Sequence, residues 1–185
     1  MEQTKIELNV IQGDFKTEVD AQTIASAIYV EESRQLHTVS KITLSGKYSR
    51  VYTIVDFFFG ATKDKVLIDD DLLIVCLFST LVIIDLKEDK LKQVIDFNCW
   101  QLFKLFKFKS GYFIHGEGEN RFLDKDFNVV WKESCCDIFF NSKVEKDLEI
   151  FDDYIVAWDW YGHKHYYNES GEFKTEYYPE YRMSD

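Results

Sequence analysis

The sequence predicts an all-β protein made of antiparallel hairpin repeats, arranged as a small or incomplete propeller-like structure or as a twisted meander. Two observations favour this fold. Three segments repeat the same order of apolar runs and polar turns, and the apolar runs are rich in Val, Ile, Phe, Tyr and Trp, which suit a pleated, half-buried surface. The segments are residues 70–97, 110–134 and 152–176.

The repeat has a regular length. Leu72, Tyr112 and Tyr154 occupy equivalent places in the three segments, spaced by about 40 residues, which is the length of a four-stranded propeller blade. Each segment also contains a polar turn of Asn, Asp, Ser or Gly, residues that accept the backbone of a tight hairpin. We therefore expect three blade-like β units in residues 66–185 of a single domain that covers residues 1–185.

The first third of the chain does not follow the repeat, and we interpret residues 1–65 as a divergent lead-in. Residues 41–60 predict two strands joined by a turn at Gly46. Residues 19–33 are ambiguous. Asp20 could cap one short helix, but Thr, Ile, Tyr and Val occur there as densely as in a strand.

Residues 72–84 form an apolar run that resembles a membrane segment only at first sight. The run has about 13 residues, whereas a spanning helix needs about 20. Aspartates stand on both sides of it, so two short buried strands with a turn near Ser79 and Thr80 explain it better. The first residues also lack the apolar segment of a signal peptide. We expect a cytoplasmic protein that does not bind membranes.

The net charge of −11 argues against binding to nucleic acid or to an anionic membrane, because both need local positive charge. It favours a basic protein partner, or simply an acidic, well-solvated surface. The cysteines are Cys76, Cys99, Cys135 and Cys136. None of them forms a C-x-x-C pair, so we expect reduced thiols and no zinc knuckle.

His163 and His165 are the candidate metal ligands. Alternate residues of a strand point to one face, and this spacing occurs in zinc and copper sites. A third ligand would have to come from Asp159, His115 or a cysteine. Because the sequence does not say which, we expect two solvated histidines on an exposed strand, with no bound metal or cofactor. No phosphate-binding loop or nucleophile motif is present, so we predict no catalytic residue.

The candidate partner-binding residues combine acids with aromatic side chains near predicted bends. They are Glu117, Glu119, Asp159, Trp160 and Tyr161. Aromatic residues anchor protein interfaces, and complementary charge raises association rates. The alternative is that most aromatic residues fill the core. The residues that we expect to be buried are Val75, Ile83, Phe113, Ile114, Trp131, Ile155 and Trp158.

Three stretches within residues 72–173 carry a family resemblance: LLIVCLFSTLVIIDLK, YFIHGEGENRFLDKDFNVVWKESCCDIF and IVAWDWYGHKHYYNESGEF. They resemble small bacterial proteins with propeller-like β-repeats, some of which serve as immunity proteins of toxin systems. The resemblance implies a non-enzymatic protein that binds and neutralises a toxin. Because the substrate of a nuclease is a polyanion, a basic nuclease is the expected toxin class.

Two other functions stay open. The first is a hydrolase or another metal-dependent enzyme that uses the hairpin of His163 and His165. The second is a general propeller-like interaction scaffold. The sequence leaves the oligomeric state undetermined, with a monomer as the expectation.

Overall fold

The computed structural model describes residues 4–13, 28–29, 37–57, 60–99, 101–134 and 137–183. Within these residues the chain forms four sheets of four strands each. The helical segments there are short 3₁₀ turns, Lys63–Lys65 and Pro179–Tyr181. The prediction of an all-β, mainly antiparallel protein is confirmed. None of the described residues belongs to a helix with the length and apolar character that crossing a membrane requires.

The strands follow one another along the chain. The first sheet contains β1 (Lys5–Gly13), β2 (Ile28–Tyr29), β3 (His37–Ser45) and β4 (Arg50–Phe57). The second contains β5 (Val66–Asp69), β6 (Leu72–Cys76), β7 (Thr80–Asp85) and β8 (Lys90–Asp96). The third contains β9 (Leu102–Phe108), β10 (Gly111–Gly116), β11 (Glu119–Leu123) and β12 (Val129–Ser134). The fourth contains β13 (Leu148–Ile150), β14 (Ile155–Trp158), β15 (His163–Asn168) and β16 (Gly171–Tyr177).

The chain divides into two compact units, Met1–Asn98 and Cys99–Asp185, and each unit holds two of the sheets. The second, third and fourth sheets are meanders in which the strands lie in chain order and pair antiparallel. Their second strands begin at Leu72, Gly111 and Ile155, at the spacing of about 40 residues expected for propeller blades.

The first sheet has a different strand order, β1-β3-β4-β2, and its short strand β2 pairs parallel with β4. The predicted turn at Gly46 joins β3 to β4, with a φ of 95°. Most of residues 19–33, for which the sequence allows one short helix or a strand, lie outside the described residues, but Ile28–Tyr29 within them are a strand. The lead-in thus contributes a four-stranded sheet of its own.

The apolar run of residues 72–84 forms the buried strands β6 and β7, as the sequence predicts. Of the expected core residues, Val75, Ile83, Phe113, Ile114 and Ile155 have no exposed surface, and Trp158 is 7% exposed. Cys76 is buried in β6 and Cys99 is half-buried, whereas Cys135 and Cys136 lie outside the described residues.

Trp131 differs from the expectation, because it is half-buried. It lies in β12, an edge strand of the third sheet whose other residues are exposed. Its indole stacks on Tyr167 at a centroid distance of 5.4 Å and donates a hydrogen bond of 3.1 Å to the carbonyl of Glu169. In this way the indole covers the aromatic core of its unit, which includes Phe113, Phe122 and Phe139.

Candidate functional site

The bend between β14 and β15 is the part of the chain that the sequence singles out, and glycine makes it possible. Gly162 has a φ of +84°, a conformation that other residues rarely adopt. A Cβ atom there would lie 2.5 Å from the carbonyl oxygen of Tyr178. The backbone closes across the bend, because Asp159 donates its N–H to the carbonyl of His163 at 3.0 Å. Gly162 thus turns the chain between β14 and β15.

The carboxylate of Asp159 organises this bend from the inside. The residue has no exposed surface. Its Oδ1 atom accepts the backbone N–H of His163 at 2.8 Å. Its Oδ2 atom lies 2.9 Å from Nδ1 of His163 and 3.4 Å from Nε2 of His165. One carboxylate oxygen thus holds the backbone, and the other faces both imidazoles.

His165 lies between two carboxylates. Its Nε2 atom faces Asp159, and its Nδ1 atom lies 2.7 Å from Oε2 of Glu172. The hydroxyl of Thr175 donates to the other oxygen of Glu172 and fixes that side chain. Both ring nitrogens therefore have an acceptor within reach.

The pKa values reflect this arrangement. Burial lowers the pKa of His165, but the hydrogen bonds to Asp159 and Glu172 outweigh it, so the pKa is raised above its usual value. Burial raises the pKa of Asp159, but the hydrogen bonds from His165 and His163 prevail and lower it. The cluster thus favours a charged histidine beside a charged carboxylate.

Asp159, His163 and His165 each offer one possible metal-ligand atom, and these atoms lie within 4.8 Å of one another. Among the described residues, Asp159 is the candidate third ligand that lies beside the two histidines. The expectation of two solvated histidines is not met, because the side chain of His165 is only 11% exposed and that of His163 is 32% exposed. The signal in the sequence was Asp159, an acid three residues before the glycine of a hairpin bend. A hairpin brings the strand after the bend back beside such an acid.

His115 takes no part in this cluster. It is 1% exposed, its Nδ1 atom lies 2.8 Å from Oδ1 of Asn120, and its ring packs against Phe103 and Phe139. Burial lowers its pKa to about 4, although the hydrogen bond to Asn120 acts in the opposite direction. His115 is therefore a neutral residue of the core.

The predicted partner-binding acids do not all present a charge to solvent. Glu119 pairs with Arg121 and lies 3.9 Å from Lys132, and its side chain is 14% exposed. Asp159 is buried and used by the histidines. Glu117 is half-buried in the bend between β10 and β11. A pattern of acids near turns cannot distinguish these situations, because their partners come from the fold.

The bend that carries Glu117 and the bend that carries Trp160 are joined by the segment of residues 137–141. Phe139 donates its backbone N–H to the carbonyl of Glu117 at 2.7 Å. Trp160 donates its backbone N–H to the carbonyl of Ile138 at 3.0 Å. The structure therefore brings together the two bends that the sequence analysis had grouped only by composition.

Asn141 is the functional-site residue that the sequence did not reveal. It is 1% exposed, and its Nδ2 atom donates to the carbonyls of Asp159, at 2.8 Å, and of Tyr181, at 2.9 Å. One amide thus ties the bend to the C-terminal segment of the chain. An asparagine in a polar loop gives no sequence signal for such a role.

Trp160 and Tyr161 are half-buried, so part of each ring reaches the surface. The guanidinium of Arg182 lies 5.3 Å from the centre of the Tyr161 ring. Two acids in adjoining segments, Asp137 and Glu180, are exposed. The surface around the bend thus combines aromatic rings with acids that solvent can reach.

No family model matches this chain, and no curated protein matches it in sequence. Solved structures do match its fold. BamB from Moraxella catarrhalis is similar with a TM-score of 0.50 and 13% identity, over 82% of this chain and 50% of that one. The computationally designed protein Ika8 is similar with a TM-score of 0.52 and 9% identity, over 78% of this chain and 47% of that one.

A third similar structure is BBS1N, crystallised in complex with ARL6DN, with a TM-score of 0.50 and 13% identity, over 93% of this chain and 54% of that one. The chain spans about half the length of these structures. BamB and BBS1N have propeller-like folds. Together with the four small sheets, the similarity defines this chain as a propeller-like β protein. Because the sequence identities are so low, the similarity shows the fold and not the function.

Proposed function

We propose that this protein is a non-enzymatic immunity protein that binds and neutralises a basic bacterial toxin in the cytoplasm, with a nuclease as the expected class. The observation that carries the proposal is the excess of acidic residues, 33 Asp and Glu against 22 Lys and Arg, on a propeller-like β scaffold. Nucleases carry positive charge for their substrate, and an acidic protein can associate quickly with such a surface.

The binding surface in this proposal consists of the two bends, residues 116–119 and 159–162, and the segment of residues 137–141 between them. Trp160 and Tyr161 serve as aromatic anchors, and Glu117 and Asp137 supply charge at the rim. Glu119 and Asp159 support the surface from within, because ion pairs and the histidines already use their carboxylates. Half-buried aromatic rings beside exposed acids are the composition that protein interfaces favour.

The first experiment is co-expression with the product of the adjacent gene. We expect that product to be toxic alone and harmless when this protein is present. A product that is harmless alone, or equally toxic with this protein, contradicts the proposal.

The second experiment locates the surface by measuring binding kinetics of the purified pair. Glu117→Lys should mainly slow association, and Trp160→Ala should speed dissociation and cost about 2 kcal/mol of binding free energy. Asp126→Lys is the matched control, because it reverses an exposed charge in the turn at the other end of β11. Equal effects of Glu117→Lys and Asp126→Lys would point to a different face.

A metal-dependent hydrolase is the second candidate, favoured by the convergence of Asp159, His163 and His165. This candidate would be supported if the wild type hydrolyses a substrate only when metal is added and His163→Gln abolishes that activity. The general interaction scaffold is favoured if a partner binds tightly but has no toxicity.

A further inference from the structure

We propose that Asp159, His163 and His165 form a binding site for one zinc ion at the bend between β14 and β15. The donor atoms are Oδ2 of Asp159, Nδ1 of His163 and Nε2 of His165. They lie within 4.8 Å of one another, and each belongs to a residue type that zinc prefers. The proposal replaces the sequence-based expectation of no bound metal, which rested on the lack of a third ligand.

The distances suit a tetrahedral ion. Zinc bonds of about 2.0–2.2 Å place neighbouring ligand atoms about 3.4 Å apart. Nε2 of His165 lies 3.4 Å from Oδ2 of Asp159, and Nδ1 of His163 lies 2.9 Å from the same oxygen. Both distances to Oδ2 are thus close to those around a tetrahedral ion, and zinc binding would require the partly exposed ring of His163 to move slightly away from Asp159.

The residues around the donors already have the orientations that a metal site needs. Glu172 lies 2.7 Å from Nδ1 of His165, so that nitrogen keeps its proton and Nε2 is left for the metal. A carboxylate behind a ligating histidine is the usual outer contact in zinc sites. The backbone N–H of His163 binds Oδ1 of Asp159 at 2.8 Å and thereby turns Oδ2 towards the histidines.

Charge and access agree with this assignment. Asp159 and Glu172 bring two negative charges. A divalent ion that displaces the Nε2 proton of His165 would balance these charges beside two neutral imidazoles. Asp159 is buried and the side chain of His163 is 32% exposed, so the ion would enter from the side of His163. Three protein ligands leave a fourth position for water, as in zinc sites that keep an open coordination position.

The test is calorimetric titration of the metal-free chain with zinc chloride. We expect one ion per chain, bound in the micromolar range or more tightly. His163→Gln should weaken binding at least about tenfold, because it removes a direct ligand that is exposed enough to be replaced without loss of the fold. Glu172→Gln should weaken it by about 10- to 100-fold, the usual effect of losing an outer carboxylate. Cobalt(II) should give the visible absorption of a tetrahedral site in the wild type and lose it in His163→Gln.

The matched control is His115→Gln, which removes a histidine that contacts Asn120 and Phe139 rather than Asp159. It should bind zinc as the wild type does. A folded wild type that binds no zinc overturns the proposal, and so does zinc binding that His163→Gln and Glu172→Gln leave unchanged. The outcome is independent of toxin neutralisation, so the zinc site and the proposed immunity function succeed or fail separately.

Discussion

The buried histidine of β10 should make the protein less stable as the pH falls, and the size of the effect follows from its environment. His115 is neutral in the folded chain because burial lowers its pKa to about 4. In the unfolded chain a histidine has a pKa of about 6.5. Below pH 6.5 His115 is therefore protonated in the unfolded chain, whereas in the folded chain it stays neutral down to about pH 4. The stability that depends on neutral His115 is fully present above pH 6.5 and is lost progressively as the pH falls from 6.5 to about 4.

The loss can be worked out from the two pKa values. Between pH 7.5 and pH 5 the linkage relation gives about 2 kcal/mol for His115, and over the whole interval about 3 kcal/mol. The assay is urea unfolding of the wild type and of His115→Gln at both pH values. Glutamine keeps an amide beside Asn120 but does not titrate.

We expect the wild type to lose about 2 kcal/mol more than His115→Gln between pH 7.5 and pH 5. The comparison cancels the contributions of the other acids and histidines, which both proteins share. Equal losses in the two proteins would refute the reasoning, because they would mean that His115 is protonated as readily in the folded chain as in the unfolded one.

The remaining predictions concern stability and can be measured by the same urea unfolding at pH 7.5. Asn141→Ala should lower the free energy of unfolding by about 1–3 kcal/mol, because it leaves the buried carbonyl of Asp159 and the partly buried carbonyl of Tyr181 without their donor. Gly162→Ala should cost more than about 1 kcal/mol, since a Cβ would meet the carbonyl of Tyr178 at 2.5 Å and the positive φ disfavours alanine. Trp131→Ala should cost about 1–3 kcal/mol through loss of its stacking on Tyr167, less than for a fully buried tryptophan, and a loss under about 1 kcal/mol would show that the indole packs poorly.

The sequence by itself determined the three later sheets. Their strands alternate with turns within about 40 residues, so the pairing partners are near neighbours in the chain and local chemistry specifies them. The turn at Gly46 was visible for the same reason, because a glycine between two apolar runs is a local signal.

The first sheet was decided by tertiary structure. Its order is β1-β3-β4-β2, and Ile28 of β2 pairs parallel with Ile54 of β4. A parallel pair has no hairpin turn to announce it, and its partners lie far apart in the chain. In the sequence this region therefore looked like an irregular lead-in, although its sheet contains four strands, as each of the other three sheets does.

The candidate site was determined partly by the sequence and partly by the tertiary structure. The sequence supplied the residue types, with His163 and His165 separated by one residue on a strand after Asp159. Only the fold decided that Asp159 is buried, with Oδ2 facing both histidines. Only the fold decided, too, that Glu119 forms an ion pair with Arg121. Burial and ion pairing depend on which strands and loops pack over a residue, and this is why the acids near the bends looked alike in the sequence and differ in the structure.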